Sequence, residues 1–84
     1  MNLNQASQRI NSRQDLANFL LQLLEDFRNT PDSWENRDLE AYLEAAAAWI
    51  SDMDGYYANK GEQAPAQPTW RTLGEIFLAA KYYE

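Results

Sequence analysis

The stretch that decides the fold is LEAYLEAAAAWISDMDGYYANKG, which runs from Leu39 to Gly61. Its large apolar residues recur at helical spacing: Leu39, Tyr42, Leu43, Ala46, Trp49, Ile50, Met53 and Tyr57. Because successive residues of a helix are about 100° apart, Met53 and Tyr57 keep the phase of the apolar residues that precede Gly55. The pattern therefore predicts one continuous helix over about residues 37–59, with no break at the glycine.

The ends of this helix carry suitable capping residues. Asn36 precedes it and is a candidate N-cap, because its side chain can accept a hydrogen bond from an amide of the first turn. Gly61 follows it and can adopt the left-handed conformation that ends many helices.

Two aspartates ahead of a glycine raise the alternative of a calcium-binding loop. Such a loop needs acids at its first and third positions, glycine at the sixth and glutamate at the twelfth. Counted from Asp52, the sixth position is Tyr57 and the twelfth is Gln63. The pattern fails, so we expect neither a metal site nor a cofactor in this segment.

Small residues form a second face of the same helix. They are Ala41, Ala45, Ala48, Asp52, Gly55 and Asn59. This small-residue face is either solvent-exposed surface filled with good helix formers or a packing surface for another helix or a second copy of the chain. A carboxylate on it has to be solvated or hydrogen-bonded, which leaves both alternatives open for Asp52.

Two further amphipathic segments flank this helix. Ser12 is the predicted N-cap of the first, with Asp15 completing a variant of the capping box. The periodicity predicts helices over about residues 13–29 and 70–82, the second of them capped by Thr69. Their apolar residues are Leu16, Phe19, Leu20, Leu23, Leu24 and Phe27 in the first, and Trp70, Leu73, Ile76, Phe77, Ala80 and Tyr83 in the second.

The connecting segments complete an all-α prediction. Pro31 suits the first position of a short helical turn near residues 31–34, and residues 61–69 contain two prolines and no periodicity. Residues 1–11 are mostly polar and are expected to form a flexible N-terminal arm. Residues 12–84 should be a single helical domain, because three amphipathic helices bury their stripes most simply in a compact three-helix bundle.

Composition disfavours catalysis. The 84 residues contain no cysteine and no histidine, which removes the thiolate ligand, the nucleophilic thiol and the commonest general base. Glu40 and Glu44 share a helical face, but they have no base or aromatic platform nearby in the sequence. We therefore expect that the protein is not an enzyme.

The charge distribution bears on partners. The net charge is −6, from 13 acids against 7 bases, and no base occurs between Arg37 and Lys60. Such a field repels phosphate groups and attracts basic ones, so we expect no nucleic-acid or membrane partner and favour a basic protein. No apolar run has the length of a signal peptide or a membrane span, which favours a cytoplasmic location.

The run W-E-N at residues 34–36, followed by LEAYLEAAAAWISDMDGYYAN, resembles a family of small bacterial proteins of unknown function. The shared pattern continues with a proline loop and a final tryptophan-led helix, and it covers roughly residues 12–84. The resemblance implies a stand-alone cytoplasmic domain and brings no catalytic residue with it. The signature residues, which are also the candidate partner-binding residues, are Trp34, Glu35, Asn36, Trp49, Asp52, Gly55, Tyr56 and Tyr57.

Two hypotheses for the function stay open. The first is a small acidic interaction module that binds a protein partner, as immunity proteins and antitoxins do. The second is a self-associating structural protein that forms a homodimer through the small-residue face. A small-molecule pocket among the tryptophans is less favoured, because a chain of 84 residues leaves little room for a cavity of about 300 Å³ within a stable core.

Overall fold

The computed structural model describes residues 2–83, and all regular secondary structure in that range is helical. The elements in chain order are α1 (Leu3–Ser7), α2 (Arg13–Asn29), a 3-10 turn (Pro31–Ser33), α3 (Leu39–Asn59) and α4 (Trp70–Ala79). The all-α prediction is confirmed, as are its three longer helices and the turn at Pro31, whereas α1 was not predicted. No helix in the described range combines the length and apolarity needed to cross a membrane.

The starts of α2 and α4 follow the predicted capping. The Ser12 hydroxyl accepts a hydrogen bond from the Asp15 amide at 3.1 Å, and the Thr69 hydroxyl accepts one from the Thr72 amide at 3.1 Å. In a capping box the Asp15 carboxylate would accept a hydrogen bond from the amide of Ser12. It accepts instead from the amide of the preceding residue, Asn11, at 3.0 Å. The α4 helix ends at Ala79 instead of residue 82, and the chain continues in a turn.

The start of α3 corrects the prediction. The N-cap is Asp38, whose carboxylate accepts a hydrogen bond from the Ala41 amide at 2.7 Å, and the helix begins at Leu39 instead of residue 37. Asn36 is not a cap, because its side chain is engaged with the other end of the chain. A carboxylate at this position also interacts favourably with the positive end of the helix dipole.

The other end of α3 agrees with the prediction. The helix passes through Gly55 without a break and ends in a Schellman motif. The Gly61 amide donates to the Ala58 carbonyl at 3.0 Å, and the Glu62 amide donates to the Tyr57 carbonyl at 2.8 Å. Gly61 has φ 74°, the left-handed conformation that glycine adopts without steric cost.

The shortest of the three longer helices, α4, lies at the centre of the fold. It packs against α1, α2 and α3, whereas α2 and α3 have no backbone contact with each other anywhere in residues 2–83. The predicted compact helical arrangement is confirmed, but α2 and α3 pack on α4 and not on each other. Since α4 is covered on several sides, Thr72, Gly74 and Glu75 are buried in addition to Leu78.

The N-terminal segment is part of this packing. Helix α1 lies against α2 and α4, and Ala6, Ser7 and Ile10 are buried. Gly74 makes room for this segment, because a Cβ atom there would collide with the side chain of Ile10. The packing corrects the prediction of a free arm over residues 1–11 as far as the structure describes it; Met1 lies outside the described residues.

Part of the predicted apolar stripe of α3 is turned away from the core. Leu39, Leu43 and Ile50 are 71%, 57% and 47% exposed, although all three belong to the predicted buried stripe. The buried residues of α3 are Trp49 and Tyr57, which belong to the predicted stripe, and Ala45, which belongs to the small-residue face. The physical reason is that α4 is the one long helix in backbone contact with α3, and a single neighbour covers only part of a wide apolar surface.

Candidate functional site

Trp34 ties the segment after α2 to the end of α4. Its indole N–H donates a hydrogen bond to Asp26 Oδ2 at 2.8 Å, and Lys81 Nζ lies 2.9 Å from the same oxygen. The hydrogen bond from Lys81 lowers the pKa of Asp26, although burial of the carboxyl opposes this shift. The rings of Phe27 and Tyr42 pack on the indole at centroid distances of 5.2 and 6.0 Å. This signature tryptophan is therefore buried inside the fold.

Asn36 holds the C-terminal turn. Its side-chain amide donates to the carbonyl oxygens of Ala80 and Tyr83 at 3.0 and 2.9 Å, and its backbone amide donates to that of Lys81 at 3.1 Å. Glu35, the residue between the buried Trp34 and the partly buried Asn36, is exposed. Two of the three residues in this run thus connect the chain before α3 to its C-terminal end.

Two tyrosines of α3 tie it to α4. The Tyr57 hydroxyl donates to Glu75 Oε2 at 3.1 Å, and Arg71 Nε lies 3.5 Å from the other carboxylate oxygen. Burial and then the negative charge of Glu75 raise the pKa of Tyr57. The Tyr42 hydroxyl donates to the Phe77 carbonyl at 2.7 Å, and burial raises the pKa of Tyr42 to about 12. Glu75 was not predicted from the sequence; the signal for it is an acid next to the apolar run of α4.

The small-residue face divides into a covered half and an open half. Ala45 is buried, and the neighbouring alanines of this face line a cleft of about 360 Å³ beside the C-terminal tyrosine. Asp52 accepts a hydrogen bond from the Tyr83 hydroxyl at 2.5 Å, and this bond raises the pKa of Tyr83. At Gly55 a Cβ atom would meet nothing within 4 Å. The chain's own C-terminal segment therefore covers part of the face that was a candidate dimer seam.

An aromatic cleft of about 410 Å³ opens between α1, α3 and α4. We define the aromatic cleft by Trp49, Tyr56, Tyr82 and Tyr83, together with Glu75 from α4. The expectation that so short a chain has little room for a cavity within its core does not apply to this cleft. The space exists because the cleft is an open gap between helices and not a cavity inside the core, and one of its walls comes from the N-terminal segment.

The second surface that folding leaves uncovered is the exposed α3 stripe, which we define as Leu39, Leu43 and Ile50. The acidic residues near this stripe on the helix surface, Glu40, Glu44 and Asp54, are exposed. Within residues 2–83 no group of three or more acidic side chains is arranged to hold a metal ion. The stripe is thus an apolar surface with acidic residues along one of its sides.

Together, the fold and these surfaces define a small all-helical domain in which several of the predicted signature residues serve the packing of α4 and the C-terminal turn. The chain belongs to the family of unknown function DUF7660, which matches residues 12–84. The resemblance to a family of unknown function over these residues is thereby confirmed, while the bacterial origin stays a prediction. Comparison with curated proteins and with solved structures finds no match.

Proposed function

We propose that the protein is a binding module and not an enzyme, and that the exposed α3 stripe docks a basic amphipathic helix of a partner protein. The observation that carries this proposal is the exposure of three large aliphatic side chains in register on one helix. Leu39, Leu43 and Ile50 follow the spacing i, i+4 and i+11, and the partly buried Ala46 supplies i+7. This is the spacing by which helices recognise one another through an apolar face.

The dimensions of the stripe suit a partner helix of a few turns. From Leu39 to Ile50 the helix rises about 16 Å, at about 1.5 Å per residue. Burying a leucine or isoleucine side chain contributes about 1.5–3 kcal/mol, and part of this gain offsets the cost of association. Three such anchors favour reversible binding over a permanent complex.

Charge favours a basic partner over a second copy of the chain. Glu40, Glu44 and Asp54 lie near the stripe on the helix surface, and no basic residue occurs between Arg37 and Lys60. Pairing two copies through the stripe would bring these acids together, whereas lysines or arginines beside the apolar face of another helix would complement them. The homodimer through the small-residue face is the competing hypothesis.

The test uses a synthetic probe because the natural partner is not specified. A labelled peptide with leucines on one helical face and lysines beside them is titrated with the protein, and its fluorescence anisotropy is recorded. A peptide of the same composition in shuffled order controls for charge alone. We expect the shuffled peptide to bind at least about tenfold more weakly, because loss of central apolar anchors typically costs more than 1 kcal/mol.

Matched variants locate the binding surface. Leu43→Ser removes a stripe residue that is 57% exposed, and Leu21→Ser removes a comparably exposed leucine, at 60%, from α2. We expect Leu43→Ser to weaken peptide binding and Leu21→Ser to leave it unchanged, with both variants folded. Equal affinities of the two variants would refute the stripe as the docking site. A concentration-dependent dimer that Leu43→Ser abolishes would assign the stripe to self-association instead.

A further inference from the structure

Aromatic rings form much of the wall of the aromatic cleft. Helix α3 supplies Trp49 and Tyr56, and the C-terminal segment supplies Tyr82 and Tyr83. The cleft volume of about 410 Å³ lies within the range of about 300–1,000 Å³ that small-molecule sites occupy. Because the face of an aromatic ring carries negative potential, walls of this kind attract cations.

The protein's own lysines already use two of these rings. Lys60 Nζ lies 5.0 Å from the centroid of the Tyr56 ring, and Lys81 Nζ lies 5.5 Å from that of Tyr82. Both distances are within the roughly 6 Å at which a cation interacts with a ring face. Neither lysine is among the residues that line the cleft, so these contacts show that the two rings can each hold a cation on a face.

The two carboxylates in and beside the cleft are, by contrast, already engaged. Glu75 accepts from Tyr57 with one oxygen and faces Arg71 with the other. Asp52 accepts a hydrogen bond from the hydroxyl of Tyr83, which is one of the cleft residues. A primary ammonium or a guanidinium would enter with several donors that need partners, and neither carboxylate is free to pair with them. A quaternary ammonium has no N–H donor and avoids this cost.

We propose that the aromatic cleft binds a quaternary ammonium group of trimethylammonium size through cation–π contacts. Trp49, which is 6% exposed, forms the floor, and Tyr82, which is 44% exposed, stands at the rim. The negative charge of Glu75 adds a favourable field from within the wall. The group can belong to a free choline-like molecule or to a trimethylated lysine side chain of a peptide. The proposal is independent of the helix-docking proposal, because the exposed α3 stripe lies outside this cleft.

The first experiment separates cation binding from ordinary apolar binding. Choline and its uncharged carbon analogue 3,3-dimethylbutanol are titrated into the full chain, and the indole N–H resonance of Trp49 is followed by NMR. We expect a saturable shift with choline and at least about fivefold weaker binding of the alcohol, because the alcohol keeps the shape and loses the cation–π attraction. Similar binding of the two probes, or no shift at Trp49 with any probe, would overturn the proposal.

The second experiment identifies the source of the group. Synthetic peptides that carry one lysine, either trimethylated or unmodified, are compared with free choline. A response to the trimethylated peptide, with or without a response to choline, supports the proposal and names the source. Equal binding of the unmodified peptide would overturn it, because a primary ammonium would then fit equally well.

Variants at the rim test the site without disturbing the core. Tyr82→Ala should weaken choline binding by about five- to thirtyfold, the range expected for one partly desolvated cation–π contact, while Tyr82→Phe should retain it. Trp70→Ala is the matched control, because Trp70 is 42% exposed and lies outside the cleft. Equal affinities of Tyr82→Ala and Trp70→Ala would contradict the proposal, and the phenylalanine variant keeps the test valid if the alanine variant fails to fold.

Discussion

The hydroxyl of Tyr57 donates a buried hydrogen bond to Glu75 Oε2 over 3.1 Å and so joins the C-terminal half of α3 to the middle of α4. The preceding residue, Tyr56, lies on the wall of the aromatic cleft, and its hydroxyl is 3.5 Å from the ammonium group of the exposed Lys60. Two adjacent tyrosines of the signature therefore have different surroundings. One lies in the contact between helices, and the other faces an open cleft.

This difference predicts opposite sensitivities to loss of the hydroxyl. Tyr57→Phe should lower the free energy of unfolding by about 1–3 kcal/mol, because a buried carboxylate loses a donor while the ring remains. Tyr56→Phe is the control and should change it by less than about 0.5 kcal/mol, because the Tyr56 hydroxyl bonds only at 3.5 Å to the ammonium group of the exposed Lys60. Urea denaturation followed by circular dichroism measures both. Equal losses would show that the Tyr57 bond does not stabilise the contact between α3 and α4.

The two helical glycines are predicted to respond to alanine with opposite signs. Gly55→Ala should stabilise the protein by up to about 1 kcal/mol, because the site is open and alanine is the better helix former. Gly74→Ala gains the same helix propensity, but the new Cβ atom collides with the side chain of Ile10. Ile10 is only 2% exposed, so its side chain has no room to move away into solvent. Overpacking of this kind costs about 1–3 kcal/mol, so a net loss is expected.

Thermal unfolding of the two glycine variants provides the measurement. A rise in melting temperature for Gly55→Ala and a fall for Gly74→Ala would support the packing of the N-terminal segment on α4. If both variants gained stability, the contact between Ile10 and Gly74 would be absent in solution.

Substitution of Asn36 tests whether its side-chain hydrogen bonds hold the C-terminal turn in place. Asn36→Ala removes the hydrogen bonds to the Ala80 and Tyr83 carbonyls, and we expect a loss of about 1–2 kcal/mol, since each bond contributes about 0.5–1.5 kcal/mol. Amide hydrogen exchange over residues 81–83 should accelerate more than exchange in α2. Glu35→Ala, at the exposed neighbouring position, should leave both measurements near the wild-type values. If amide hydrogen exchange over residues 81–83 were unchanged in Asn36→Ala, the Asn36 hydrogen bonds would not order the C-terminal turn.

The contact between Asp26 and Lys81 predicts a dependence of stability on acid pH. The pKa of Asp26 in the folded chain lies below its ordinary value of 3.8. A carboxyl of this kind stabilises the fold fully above the unfolded pKa, and the contribution disappears as the pH falls through the folded pKa. Stability should therefore decrease below about pH 4, in the range set by this lowered pKa.

Asp26→Asn isolates this contribution. The variant should be less stable than the wild type at neutral pH, because Lys81 loses a charged partner, and it should lose less stability on acidification. Asp32→Asn is the comparison, because the Asp32 side chain is 93% exposed in its pair with Arg37 and surface pairs of this kind contribute little. Denaturation curves at neutral and acid pH distinguish the cases. If the wild type and Asp26→Asn lost the same amount of stability on acidification, the proposed role of this carboxyl would be contradicted.

Local sequence determined the helices of this protein. The continuity of α3 across Gly55, its left-handed end at Gly61, the turn at Pro31 and the caps at Ser12 and Thr69 all follow from the sequence. The reason is that helical hydrogen bonds and caps join residues within about four positions of each other, so the information they need is local.

Only the tertiary structure decided which faces are buried and what the signature residues do. From the sequence, Asn36 is predicted to be a helix cap. In the structure its side chain donates to carbonyls of the C-terminal turn, more than forty residues later in the chain. From the sequence, the whole apolar stripe of α3 is predicted to be core. In the structure α3 buries the side that carries Ala45 and Trp49, whereas Leu39 and Leu43 are exposed to solvent. Periodicity records how wide an apolar surface is, but the number and length of the neighbouring helices determine how much of that surface is covered.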